Sequence, residues 1–316
     1  MSAHPTPLKF LAPGWFSIVM GLSGLALALA SLLRWQRHAQ AWAEDLRHPV
    51  RHVFVAAMPV SLILLATVAV ALGGPTPWAR GLWMTGSVWQ LGVTLWVVSR
   101  WLAPAAPAST PAQASAAFWS GITPPLLIPI VGNVLVPLAG VPLGHGTWSV
   151  VQFGVGLFFW PLVIALLVVR IGIAGLWPQR LLPTTFITIA PPAVIGLAAL
   201  QLGAPESLAW GAWGIALLFA GWSASVLRRA IDQPFAVPFW ALSFPLAAFA
   251  ALSLRLAGNA PAALQAFALA LLALSSLVIL ALALATLKGL RRGSLLVPEP
   301  GPGAPLATPP STGVQP

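Results

Sequence analysis

The residues able to do chemistry are few, and they avoid the apolar stretches that make up most of the chain. All five acidic residues, Glu44, Asp45, Glu206, Asp232 and Glu299, lie outside those stretches. His4, His38, His48, His52 and His145 are terminal, in connecting segments or at a helix edge. Proton-coupled pumps and carriers rely on ionisable relays within the membrane, and no such relay is visible. Intramembrane proteolysis would need a paired mid-span Asp or a zinc-binding H-E-x-x-H, and neither is present. His48 and His52 are four apart and could share a helix face, but two histidines lack the further ligands of a zinc site. A role at a helix start or at the membrane interface is expected for them, with no metal and no cofactor. The absence of cysteine removes disulfides and thiol redox chemistry. What remains inside the apolar stretches is polar but neutral: Asn133, Gln152, Thr184, Thr185, Thr188 and Ser243. Helix-to-helix hydrogen bonding accounts for such residues by default, while Asn133, Thr188 and Ser243 are also candidates to line a pathway. A pathway without fixed charge suits passive flow, which needs weak sites that ions can leave.

The elements that must hold these residues are long apolar helices. Composition is 59% hydrophobic and 6% charged, against about 25% charged in soluble domains. A bilayer core needs roughly 20 apolar residues per helical span. Nine stretches meet or approach that length: 14–33, 53–72, 81–99, 122–142, 147–169, 182–202, 208–227, 238–254 and 261–287. The chain therefore reads as a short N-terminal segment (1–13), a transmembrane domain (14–292) and a Pro/Gly-rich tail (293–316) expected to be disordered. The first span is too long for a signal-peptide core and is read as retained. The Ala/Pro/Ser stretch from Ala103 to Ala117 is expected to be a flexible or polyproline-like loop.

The net charge of +10 comes from separate inter-helix loops and forms no stripe, which argues against nucleic-acid binding. Arg34, Arg37, Arg47, Arg51, Arg100, Arg170, Arg180, Arg228, Arg229, Lys288, Arg291 and Arg292 fall on one set of alternating connections. Only Arg80 and Arg255 fall on the other. The positive-inside rule puts the first set, and the C-terminus, in the cytoplasm. Trp15, Trp78, Trp101, Trp148, Trp177 and Trp210 lie near span ends, where interfacial anchoring is expected.

The outer connections are short and rich in turn formers: Gly73-Gly74-Pro75, Gly140-Val141-Pro142, Gly203-Ala204-Pro205 and Gly258-Asn259-Ala260-Pro261. Helices should pair as hairpins joined there. First members of the hairpins carry mid-span proline: Pro59, then Pro129 and Pro137, then Pro191 and Pro192, then Pro245. The second members lack it, Pro161 excepted. Proline removes a backbone donor and kinks a helix, and carbonyls freed in a membrane must face protein or a water-lined cavity. Alternating kinks are what an inner ring around a pore would show. Gly132, Gly154, Gly156, Gly211 and Gly214 are expected to allow close helix approach.

Several motifs resemble the tellurite-resistance/dicarboxylate transporter family, which includes bacterial TehA proteins and the plant guard-cell slow anion channels. Pro13-Gly14-Trp15-Phe16-Ser17-Ile18-Val19-Met20-Gly21 and Asp45-Leu46-Arg47-His48-Pro49-Val50 are similar to its opening motifs. Ile189-Ala190-Pro191-Pro192-Ala193 resembles its seventh-helix proline site. Gln233-Pro234-Phe235 and Phe239-Trp240-Ala241-Leu242-Ser243-Phe244-Pro245 resemble its ninth-helix signature. The resemblance implies helical hairpins around a central pore, assembled as a homotrimer of separate pores and passing small inorganic anions or dicarboxylates. It also implies that the Phe244 ring occludes the pore and that Pro245 marks the adjacent kink; without it Phe244 reads as one more apolar residue. The family has ten spans against nine counted here, with about one helix missing between Gly14-Trp15-Phe16 and Ser31-Leu32-Leu33-Arg34. By parity, nine spans and an inside C-terminus leave the N-terminus outside.

The expected protein is thus an all-α, polytopic helical bundle in the lipid bilayer of the cell inner membrane and no enzyme. It would pass small anions through a neutral pore gated by Phe244. A secondary carrier of dicarboxylates or tellurite-type oxyanions and a non-conducting membrane scaffold are the alternatives.

Overall fold

The computed structural model describes residues 36–48, 50–102, 110–232, 234–258, 260–293 and 295. The first expected span, with the motif at Pro13–Gly21 and the proposed site of a missing helix, lies outside the described residues. So do almost all of the 293–316 tail and Gln233.

The described chain is all α. Helix α1 (Ala39–Arg47) is followed by α2 (Ala57–Gly73), α3 (Pro77–Trp101), α4 (Pro111–Gly121), α5 (Ile128–Gly140) and α6 (Gly146–Ala174). Helices α7 (Ala190–Gln201), α8 (Glu206–Ile231), α9 (Ser243–Ala257) and α10 (Ala262–Arg291) complete it. Neighbouring members pack as hairpins, α2 with α3, α5 with α6, α7 with α8 and α9 with α10. Six segments are long and apolar enough to cross a membrane, and a seventh arises if α4 and the segment Pro124–Gly140, bent by 60°, form one span. The expected 81–99 span is a 25-residue helix, α3, but Arg80, Ser87, Gln90, Thr94, Ser99 and Arg100 dilute its apolar character.

The two members of each hairpin are built differently. Each first member begins as a 3-10 helix and then relaxes into an α-helix. The 3-10 segments are Arg51–Ala56 before α2, Pro124–Leu127 before α5, Gln179–Ile189 before α7 and Val237–Leu242 before α9. They contact one another in chain order, so all four lie at one end of the bundle. The α portions also neighbour in order, α2 to α5 to α7 to α9. The middle ones are the most enclosed: in α5 the buried residues run from Pro129 to Pro137 without a gap, and in α7 from Ala190 to Gly196, while among the described residues α2 buries one stripe, Pro59, Ile63, Ala66 and Ala69.

Second members are long single helices that bury one stripe. In α6 it runs Ser149, Gln152, Gly156, Val163, Leu167 and Arg170, at helical spacing. The remaining faces expose Phe158, Leu162 and Val168, as α10 exposes Leu269, Leu277 and Leu284. Contiguous apolar faces of this kind mark a surface for lipid or for a neighbouring chain. Pro161 sits inside α6 without ending it.

Two expectations are corrected here. Pro111–Gly121 is helical and not an irregular loop, because Thr110 caps it by accepting a hydrogen bond from the Gln113 amide (3.3 Å). In the α5–α6 turn the left-handed residue is Gly144, at φ 86°, while Gly140 ends α5 and has another role described below.

Candidate transport pathway

The prolines singled out in the sequence share one position in the architecture. Pro59, Pro129, Pro191, Pro192 and Pro245 all fall in the first three residues of an α segment, just after its 3-10 segment. Proline is tolerated in a first turn, where amides have no intrahelical partner, so it fixes where the 3-10 geometry stops. Hydroxyls on the 3-10 side take up backbone carbonyls. Thr185 donates to Leu182 O (2.8 Å), Thr188 to Thr185 O (2.7 Å) and Ser243 to Trp240 O (2.7 Å). Ser223 of α8 also donates to Thr185 O, at 3.2 Å. Thr188 is buried and Ser243 half-buried, three and two residues ahead of Pro191 and Pro245 respectively. Pro137, by contrast, lies within α5, toward its end.

Phe244 is the second residue of α9, next to Pro245, and is half-buried against the central apolar cluster. The ninth-helix motif thus forms the 3-10-to-α junction of the last inner helix. The earlier motif at Asp45–Val50 builds the lead-in to the first described one. Arg51 pairs with Asp45 at 2.9 Å, and His48 Nδ1 accepts from the amides of Val50 (3.1 Å) and Arg51 (3.2 Å). His52 Nδ1 lies 3.0 Å from His48 O. These two histidines serve chain geometry at the start of a helix.

Asn133 is fully buried and belongs to a polar layer between α3, α5 and α6. Its Nδ2 donates to Thr94 Oγ1 (2.6 Å) and to Pro129 O (2.8 Å). Gln90 Nε2 donates to the same carbonyl at 2.7 Å, and Thr94 Oγ1 lies 3.1 Å from it. Gln152 Nε2 donates to Ser87 O at 2.9 Å. The oxygens Gln90 Oε1, Asn133 Oδ1 and Gln152 Oε1 have no partner. Sequence reading missed Ser87, Gln90 and Thr94, whose i, i+3, i+7 spacing marks one face of α3. Of the glycines flagged for close approach, Gly132 and Gly156 are used. A Cβ on Gly132 would fall 2.3 Å from Gln90 Cδ, and one on Gly156 would fall 2.5 Å from Val134 Cγ1. Gly154, Gly211 and Gly214 have open space instead. Gly140, taken for a turn residue, leaves room for Ser149 Oγ and the Trp83 ring.

At the end that holds the 3-10 segments, Arg170 of α6 is buried without a carboxylate. Its Nε donates to Trp119 O (3.3 Å), its Nη1 donates to Gly175 O, and its guanidinium lies 5.1 Å from the Trp177 ring centroid. Trp177 is accordingly buried, with Nε1 donating to Ile122 O at 2.9 Å, and is no interfacial anchor.

Paired helices with apolar outer faces, first members that pass from 3-10 to α, and no cluster of His, Asp or Glu among the described residues define a multi-span helical membrane protein. Residues 27–287 match the voltage-dependent anion channel family, and the chain belongs to that family. Among its relatives are two uncharacterized transporters of Methanocaldococcus jannaschii. One is 22% identical over 298 residues, covering 77% of this chain and 82% of the relative. The other is 20% identical over 244 residues, covering 69% and 68%.

Proposed function

We propose that the chain is a channel for small inorganic anions, with its gate at Phe244 and its pathway along α2, α5, α7 and α9. The observation that carries this reading is the neutrality of those helices. Ala57–Gly73, Ile128–Gly140 and Ala190–Gln201 hold no ionisable side chain, and Ser243–Ala257 holds only Arg255, in its last turn. A pathway with no buried cation binds anions weakly and lets them leave, which flow requires. The junctions at Pro59, Pro129, Pro191, Pro192 and Pro245 would supply helix ends whose dipoles favour anions. Phe244 sits at the last of these, where a ring rather than a charge would close the path. Asn133, Thr188 and Ser243 face helix contacts in this state and hold the junctions in shape.

The remaining features follow from the same reading. The 14–292 segment is the channel domain, housed in the cell inner membrane with its basic, 3-10 end and C-terminus in the cytoplasm, and three copies assemble with separate pores. Reconstituted protein should release chloride or nitrate from liposomes at rates linear in concentration. Saturable, proton-dependent uptake would instead favour the second reading, a carrier of dicarboxylates or oxyanions; the relatives described as transporters keep that reading in view.

A further inference from the structure

Arg255 is the one ionisable side chain on the four inner α-helical segments among the described residues. It is exposed, and it shares a face of α9 with Phe244. Eleven residues at about 100° each bring it round to within about 20° of Phe244, and about 16 Å further along the axis. Ala251, between them, is on the same stripe and is exposed too, while the other faces of α9 bury Phe249, Leu252, Ser253 and Leu256. Arg255 stands at the end of the bundle opposite the 3-10 segments. There it lines a pocket of about 100 Å³ with Leu200, Glu206, Leu256 and Gly258. Glu206 is the acidic residue of that pocket, and it does not pair with Arg255. Its Oε1 instead accepts from Trp210 Nε1 of its own helix, at 3.1 Å.

We propose that Arg255 collects a small monovalent anion such as chloride at this mouth and feeds it to the Phe244 face, and that Glu206 limits how strongly it does so. The inference rests on the channel reading and assigns that pathway its capture site. A lone exposed cation beside low-dielectric walls raises the local anion concentration without creating a trap. The nearby carboxylate keeps the potential shallow. Charge at the mouth acts on supply at low salt and is screened at high salt.

The test uses the natural absence of cysteine. Gly258→Cys places a single thiol in the pocket, where a Cβ has open space. Its labelling by an anionic thiosulfonate reagent should be slowed by added chloride when Arg255 is present. Arg255→Gln should abolish that protection and lower the ratio of anionic to cationic labelling rates severalfold, and Glu206→Gln should raise the ratio. In Phe244→Ala channels, Arg255→Gln should lower conductance about two- to threefold in dilute chloride and leave it unchanged at about 1 M salt, where the charge is screened. Chloride protection that is absent with Arg255 intact, or that survives Arg255→Gln, would overturn the proposal. So would an equal loss of conductance at both salt levels. A silent Phe244→Ala channel would count against the channel reading, and the labelling result would still decide the capture site.

Discussion

Gly132 of α5 leaves vacant the volume that the Gln90 carboxamide of α3 fills: a Cβ there would lie 2.3 Å from Gln90 Cδ and 2.4 Å from its Nε2. The glycine thereby lets an amide from an outer helix reach Pro129 O at the first turn of an inner one. Gly132→Ala should displace that amide and destabilise the protein by about 1–3 kcal/mol, as overpacking does. Thermal unfolding in detergent would measure it. In the Gln90→Ala background the same substitution should cost markedly less, since the two residues are coupled through one space. Equal costs in both backgrounds would contradict the contact.

Ser253 ties α9 to α8, accepting from Trp213 Nε1 at 2.9 Å and donating to Phe249 O at 2.8 Å. Ser253→Ala strands a partly buried indole N–H, a loss of about 1–2 kcal/mol. Ser253→Thr retains the hydroxyl and should recover most of it. Melting temperatures of the two variants, compared with wild type, check this.

Arg170 joins α4, the end of α6 and Trp177 through two carbonyls and one ring. Arg170→Leu should cost about 1.5–3 kcal/mol, the range for hydrogen bonds to a charged group. Arg170→Lys should not restore it, because a point-like ammonium lacks the planar fork that reaches several acceptors at once. Limited proteolysis should show α4 cut faster in both variants. Full protection with lysine would show that charge alone suffices.

Much of this fold was legible because bilayer-length apolar runs leave little choice. The stretches 53–72, 147–169 and 208–227 each lie within a described helical segment, and 261–287 starts one residue before its helix, at the cap Pro261. Proline positions also carried meaning, though what Pro59, Pro129, Pro191, Pro192 and Pro245 mark is finer than a kink: each falls within the first three residues after a 3-10 segment turns into an α-helix. The polar layer was harder to see. Ser87, Gln90 and Thr94 sit in an otherwise apolar run, and a hydropathy reading averages them away, whereas their helical spacing would have exposed a buried face. Thr110 was missed because the Ala/Pro/Ser run around it suggests irregular chain, although threonine directly before proline is a helix start. Trp177 looked interfacial by position, and nothing in the sequence tells that Arg170 covers it. The role proposed for Phe244 comes from the family's ninth-helix motif; composition alone makes it an ordinary apolar residue.

The central claim is an anion pathway closed by a ring on α9. Its most direct test is the current across planar bilayers carrying purified wild-type protein or Phe244→Ala, under a chloride or nitrate gradient. The account predicts a near-silent wild type and a conducting variant whose reversal potential follows the anion gradient. Silence from both, in protein shown to be folded by its melting transition, would contradict it.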